Sequence, residues 1–190
     1  MIKRILLVGG TSLIGKHIIQ TAETEIISPD RKSLDLTDPD IIRNYDYKNF
    51  DCLILVAGAG MTHGKTINFD SMDDKYIKNT IDVNCTGSTL LLNRYLKTNK
   101  KGHVVIIGSR AIYKTDTPNV VYTASKVYLD RLVDILEKTY SDTRFIKINP
   151  AKVSSRFEHK DNYIRPEQVA SSVWHCIANN IKKLDITYKI

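Results

Sequence analysis

The 190-residue chain has little of what marks several protein classes. It has three cysteines, Cys52, Cys85 and Cys176, each in or beside an apolar segment and at no disulfide or metal-ligand spacing. They read as buried, reduced thiols of a cytoplasmic protein. The apolar run near the start, Ile5 to Val8, stops at Gly9-Gly10, too short for a secretory core or a membrane span, so no membrane partner is expected. Repeats, low-complexity tracts and linkers are missing, and the length is that of one domain, 1–190, with chain enough for a substantial core. The net charge is +7, but the lysines and arginines are scattered, with Lys100-Lys101 and Lys182-Lys183 as the lysine doublets, and the aromatics do not interleave with the cations. A nucleic-acid partner is therefore not expected.

What the chain does have is a proton-handling constellation. In Tyr122-Thr123-Ala124-Ser125-Lys126 the tyrosine and lysine are four apart, so on a helix they share one face. A phenol with a reference pKa of about 10 handles protons poorly at neutral pH unless a cation favours its ionised form, and Lys126 supplies one. Ser109 closes Val104-Val105-Ile106-Ile107-Gly108-Ser109, which reads as a buried parallel strand, and can present a hydroxyl to a substrate oxygen. Asp82-Val83-Asn84-Cys85-Thr86-Gly87 lies about a helix earlier.

This arrangement resembles the short-chain dehydrogenase/reductase superfamily, whose catalytic asparagine, serine, tyrosine and lysine match Asn84, Ser109, Tyr122 and Lys126. The resemblance implies a doubly wound α/β sheet (Rossmann fold) of six or seven parallel strands, with the site at the strands' C-terminal ends. It implies hydride transfer between a nicotinamide dinucleotide and a small-molecule carbonyl or alcohol, with Tyr122 as acid or base. It also implies a homodimer or homotetramer built through the segments Asp73 to Leu96 and Val121 to Lys138.

Further segments fall where the resemblance places cofactor contacts. Ile5 to Val8, then Gly9-Gly10-Thr11-Ser12-Leu13-Ile14-Gly15, then an amphipathic stretch from Lys16 to Ala22 read as strand, glycine turn and helix. Such a helix offers free N–H groups and a positive dipole end to a pyrophosphate. Leu13 stands where the superfamily has its middle glycine. Asp35, followed by Leu36, matches the acidic position that meets adenine, while Asp38-Pro39 reads as an N-cap before a proline-started helix. Ala57-Gly58-Ala59 resembles the Asn-Ala-Gly motif on which the ribose lies, with Val56 replacing the asparagine. Pro150 and Val153 match the Pro-Gly-x-Val segment that meets the carboxamide, with Ala151 for the glycine, and Ser155 matches the hydroxyl that follows.

Two regions are short. Between the second strand, Glu25 to Ser28, and Leu34 there is no room for the helix that connects the second and third strands, so one crossover is expected to be a loop. From Ser155 to Arg165 only a reduced substrate lid fits before the last long helix, started by Pro166. Its Arg156, His159, Lys160 and Arg165 read first as a solvated loop and secondly as a basic rim for an anionic substrate. Met61, Arg110 and Tyr113 read equally as pocket lining or ordinary surface. Ile186 to Ile190 reads as a final edge strand. For the cofactor, Asp30 favours NAD(H) through the ribose hydroxyls, whereas Arg31, Lys32 and Ser33 suit the 2′-phosphate of NADP(H). The expectation is NADP(H). Two alternatives remain: a redox-silent dinucleotide sensor or scaffold, and a sugar-nucleotide enzyme related to deoxysugar reductases and epimerases.

Overall fold

In a computed structural model of the protein, residues 2–60, 68–154 and 161–187 are described. Six parallel strands form one sheet: β1 (Arg4–Val8), β2 (Glu25–Ile27), β3 (Cys52–Leu55), β4 (Gly102–Ile107), β5 (Thr143–Pro150) and β6 (Lys183–Ile186), in the order β2-β1-β3-β4-β5-β6. The helices are α1 (Leu13–Gln20), α2 (Pro39–Asn44), α3 (Asp74–Ile81), α4 (Ser88–Thr98), α5 (Val120–Thr139) and α6 (Pro166–Ala178). This is the doubly wound fold that the resemblance implied.

Strand residues alternate between faces, and both faces are buried, so the strands read as continuous apolar runs. Leu6, Val8, Leu53, Leu55, Val104, Ile106 and Phe145 meet Ile42 of α2, Leu91 and Tyr95 of α4, and Leu129 and Val133 of α5. Ile5, Leu7, Ile54, Val105, Ile107, Ile146 and Ile148 meet Ile18 of α1 and Val169 and Val173 of α6. The strand order changes direction between β1 and β3, which opens a crevice at their C-terminal ends. Among the described residues no helix is long and apolar enough to cross a membrane.

The structure corrects several sequence expectations. α1 begins at Leu13 rather than Lys16, because Ser12 caps it by accepting a hydrogen bond from the Gly15 amide. The crossover after β2 is a loop, but Leu34 starts no third strand. Leu34 and Leu36 sink into the core from a pair of turns, and β2 is left as the sheet edge. The last strand ends at Ile186, where β5 stops: Pro150 pairs with Ile186 and the Ala151 amide takes the Ile186 carbonyl. Tyr188, Lys189 and Ile190 lie outside the described residues. The expected Asp73–Leu96 helix is interrupted by a π-helical stretch, Asp82–Gly87, between α3 and α4. Cys52 and Cys176 are buried and all three thiols are free, but Cys85, on the π-helical stretch, is only half-buried.

Candidate functional site

The glycine turn is shaped by its contact with the end of β3. Gly9 has φ +101°, and a Cβ there would lie 2.5 Å from the Ala57 amide nitrogen. A Cβ on Gly15 would lie 2.4 Å from the Gly9 carbonyl, so both positions need glycine for the protein's own packing. The Ser12 hydroxyl ties the turn together, donating to the Gly9 carbonyl at 2.8 Å and accepting from the Gly15 amide at 3.0 Å. By helix geometry the amides of Leu13 and Ile14 have no carbonyl partner inside α1. Thr11, Ser12 and Leu13 are exposed around them, and Leu13 fills no tight space that would demand a glycine.

Across the crevice, Asn84 organises the second half of the site. It is buried on the π-helical stretch, where an extra residue per turn is a frequent device at functional sites. Its Oδ1 accepts from the Ala59 amide at 2.8 Å, and its Nδ2 donates to the Ala59 carbonyl at 2.8 Å and to Ser125 Oγ at 2.9 Å. Ser125 in turn donates to the Tyr122 carbonyl at 2.7 Å. The strap after β3 and the first turns of α5 are thus fixed to one amide. Lys126 is 5% exposed; its Nζ donates to the Ile107 carbonyl at 3.4 Å and stands 5.7 Å from the Tyr122 ring centroid. A Cβ on the exposed Gly58 would sit 3.2 Å from that ammonium and 3.5 Å from Asn84 Oδ1, so the missing side chain keeps open an approach to both. Burial pushes the Cys85 thiol up, against the opposing pull of the Lys126 charge.

Ser109 follows β4 and caps the short 3₁₀ turn Arg110–Tyr113, its Oγ accepting from the Ala111 amide at 3.1 Å. That use of a lone pair leaves its O–H as a donor. The turn packs on α5, the helix that carries Tyr122. Arg110 lies over the Tyr113 ring, and the Tyr113 hydroxyl donates to Asp185 of β6 at 2.8 Å, so both side chains brace the sheet edge. Pro150 ends β5 in the buried layer, and Val153 forms a bridge with Ile164. Of the lid cations, Arg165 is the N-cap residue of α6; Ser155, Arg156, His159 and Lys160 lie outside the described residues, as does Met61. Val56 packs into the Ile5 cluster, an apolar solution where the superfamily has asparagine.

Near β2 the cofactor-selecting candidates are occupied with one another. Asp30 Oδ1 accepts from the Ser33 amide at 2.9 Å and hydroxyl at 2.7 Å, and the hydroxyl contact leads the effects that hold its carboxyl below the ordinary range. Arg31 Nε donates to Asp35 Oδ2 at 2.8 Å, while Asp35 Oδ1 takes the amide and hydroxyl of Thr37. Partial burial works to raise the Asp35 pKa, but those hydrogen bonds and the Arg31 charge outweigh it and the net direction is down. Lys32 is exposed. Leu36 is buried, and its carbonyl sits where a Cβ on Gly87 would be, 2.0 Å away, which locks this turn onto the π-helical stretch.

Sequence reasoning passed over Ser125 as an organiser; the signal was a serine on the buried side of α5, three residues after Tyr122. It also passed over Tyr76 on α3, whose hydroxyl donates to the Gly60 carbonyl. Burial raises the Tyr76 pKa, the Thr80 side chain opposes this, and the neighbouring Tyr122 adds to it. A depression of about 580 Å³ at the other end of β1 holds Lys3, Arg4, Glu25, Phe50 and Asp51, which are bonded to one another and lie far from this constellation.

With this geometry in hand, comparison with known proteins is direct. A family model described as short chain dehydrogenase matches residues 34–163, a span that holds Asn84, Ser109, Tyr122 and Lys126 but not the glycine turn. An uncharacterized oxidoreductase of Myxococcus xanthus (strain DK1622) is 29% identical over 142 residues, 70% of this chain and 55% of that protein. The chain therefore spans about half the length of this curated relative. Two solved structures share the fold. An alcohol dehydrogenase from the archaeon Thermococcus sibiricus, complexed with 5-hydroxy-NADP, has TM-score 0.79 at 17% identity over 99% of this chain and 97% of that one. A short chain dehydrogenase from Burkholderia cenocepacia J2315, in complex with NADP, has TM-score 0.81 at 18% identity over 97% and 96%.

Proposed function

The chain belongs to the short-chain dehydrogenase/reductase family, and from that premise we propose that it is an NADP(H)-dependent oxidoreductase that interconverts a carbonyl and an alcohol on a small molecule. The observation that carries this reading is the joining of Asn84, Ser125, Tyr122 and Lys126 beside the open surface at Gly58, opposite a glycine turn and a capped helix start.

In this reading the dinucleotide lies across the C-terminal ends of the strands. Gly9 to Gly15, with the free amides of α1, hold the pyrophosphate. Asp35 and Leu36 meet the adenine, Ala57, Gly58 and Ala59 the ribose, and Pro150 and Val153 the carboxamide. When bound, the cofactor supplies or takes up the hydride. Tyr122 gives its proton to the carbonyl oxygen as the alcohol forms, and Ser109 donates a hydrogen bond to the same oxygen. Lys126 binds the nicotinamide ribose and keeps a positive charge beside Tyr122.

The preference for NADP(H) draws support from the 5-hydroxy-NADP and NADP in the two structural neighbours and from Arg31 and Lys32. The Arg31 side chain is 71% exposed, and its pair with Asp35 is of the kind a 2′-phosphate can enter or displace. Exposed Val120, Val127, Tyr128 and Ile135 on α5 support a homodimer or homotetramer, and the free thiols suit a cytoplasmic setting. The first test is a fluorescence titration with NADPH and NADH in parallel. Saturable NADPH binding, tighter than NADH, is expected; binding of neither overturns the oxidoreductase reading in favour of a scaffold.

A further inference from the structure

Lys147 stands in β5, a strand paired on both sides, and is 7% exposed. Its ammonium lies 2.5 Å from Asp134 Oδ1 and 2.9 Å from Asp130 Oδ1, both on α5. Taking the Lys147 ammonium out of water is costly, and well-packed apolar residues in such a place are often as stable or more so. Stability alone therefore gives no reason for this cluster.

Its place along α5 gives one. Residues 122, 126, 130 and 134 are each four apart and form one stripe, so Asp130 is the next charged group beyond Lys126. A lysine and an aspartate at this spacing attract. Left without a partner, Asp130 would draw the Lys126 ammonium along the helix, away from Tyr122 and Gly58. Lys126 instead reaches the Ile107 carbonyl and the open space at Gly58. Asp130 Oδ1 is buried, with no hydrogen bond of its own but with the Lys147 charge 2.9 Å away, so without Lys147 it would be a buried acceptor open to another ammonium.

We propose that Lys147 is a positioning residue: by occupying Asp130 and Asp134 it keeps Lys126 free for the nicotinamide ribose and Tyr122. This rests on the oxidoreductase reading for its consequence, but its geometry can be tested separately. Three variants decide it: Lys147→Met, Lys147→Arg, and Lys147→Met combined with Asp130→Leu. Binding is read by NADPH fluorescence titration, folding by thermal melting, and the Lys126 position by a crystal structure of Lys147→Met.

Lys147→Met is expected to weaken NADPH binding about tenfold or more, the scale of losing a charged hydrogen bond. Lys147→Arg keeps the affinity. The double variant returns to within about twofold of wild type, and because it also removes the unpaired buried carboxylate, the readout that a merely structural role for Lys147 would not move is the position of Lys126. In the crystal structure Lys126 Nζ moves to within about 4 Å of the Asp130 carboxylate, the ion-pair range. Should Lys147→Met fail to fold, Lys147→Gln takes its place in every measurement. A folded single variant that binds NADPH like wild type, a double variant as weak as the single one, or Lys126 still on the Ile107 carbonyl overturns the proposal. Wild-type protein that does not bind NADPH overturns the oxidoreductase reading instead, and the crystal structure still decides where Lys126 goes.

Discussion

The two ends of the crevice are built on different principles. At the α5 end, the two buried anchors are held by residues far away in sequence: Asn84 reaches 25 residues to Ala59 and 41 to Ser125, and Lys126 reaches 19 to Ile107. Asn84 and Lys126 are almost fully buried. At the β2 end the contacts span two to four residues, Asp30 with Ser33, Arg31 with Asp35 and Asp35 with Thr37, and the groups lie at the surface. The first end is rigid because its geometry is over-determined by the fold. The second can change its pairing without disturbing the core, as the proposed selection between cofactors requires.

The sharpest way to break this comparison is at the chemistry itself. Tyr122→Phe should lower turnover by about 10²- to 10⁴-fold, the range for losing a general acid or base, with NADPH affinity nearly intact. Strong residual turnover with a carbonyl substrate would remove Tyr122 from its role. Next is the rigid end's scaffold. Asn84→Ala leaves the half-buried Ala59 amide and carbonyl and the buried Ser125 hydroxyl without their partner, at a cost of about 1–3 kcal/mol for a fully buried group and less for the half-buried ones. Urea denaturation should register a clear loss of stability, and a change within error would mean that water replaces the amide there.

At the malleable end the effects shrink. Arg31→Ala should weaken NADPH binding several-fold, leave NADH binding alone, and change stability by less than about 1 kcal/mol, as for an exposed pair. Unchanged NADPH affinity would overturn the assignment of Arg31 to the 2′-phosphate. The smallest effect is in acid. Asp30 and Asp35 are held below their ordinary values, so their contribution is complete above the unfolded carboxylate range and is lost as pH falls through the folded one. Wild type should therefore lose melting temperature below about pH 4. Asp35→Asn should flatten that slope, and a slope identical to wild type would assign the acid sensitivity to other carboxylates.

Legibility in the sequence followed the same division by contact range, though not by importance. Tyr122 and Lys126 were readable because a four-residue spacing means one helix face. The glycine turn was readable because a strand, a turn and a helix are local events. The strands were readable as unbroken apolar runs, and their alternation into two packed faces came with them. Ser125 was not readable as the bridge between α5 and Asn84, since nothing in one segment marks a partner 41 residues away. The loss of a third strand at Leu34 was also hidden, because two leucines around an aspartate look the same whether they alternate in a strand or plug a core from a turn. In the same way Lys147 gave no sign of itself in an apolar strand; its meaning depends on two aspartates across a layer.

The π-helical stretch between α3 and α4 also acts as a phase adjuster. α3 must turn Tyr76 and Thr80 toward the crevice, while α4 must turn Leu91, Leu92, Tyr95 and Leu96 into the sheet. A uniform helix advances about 100° per residue, and a π-helical stretch advances less, so it shifts the phase of α4 relative to α3. The six residues from Asp82 to Gly87 absorb the difference, so the two helices can be reshaped independently as long as that angular offset is kept. Deleting one residue there would change the rotation of α4 relative to α3 while leaving the sequence of both helices intact.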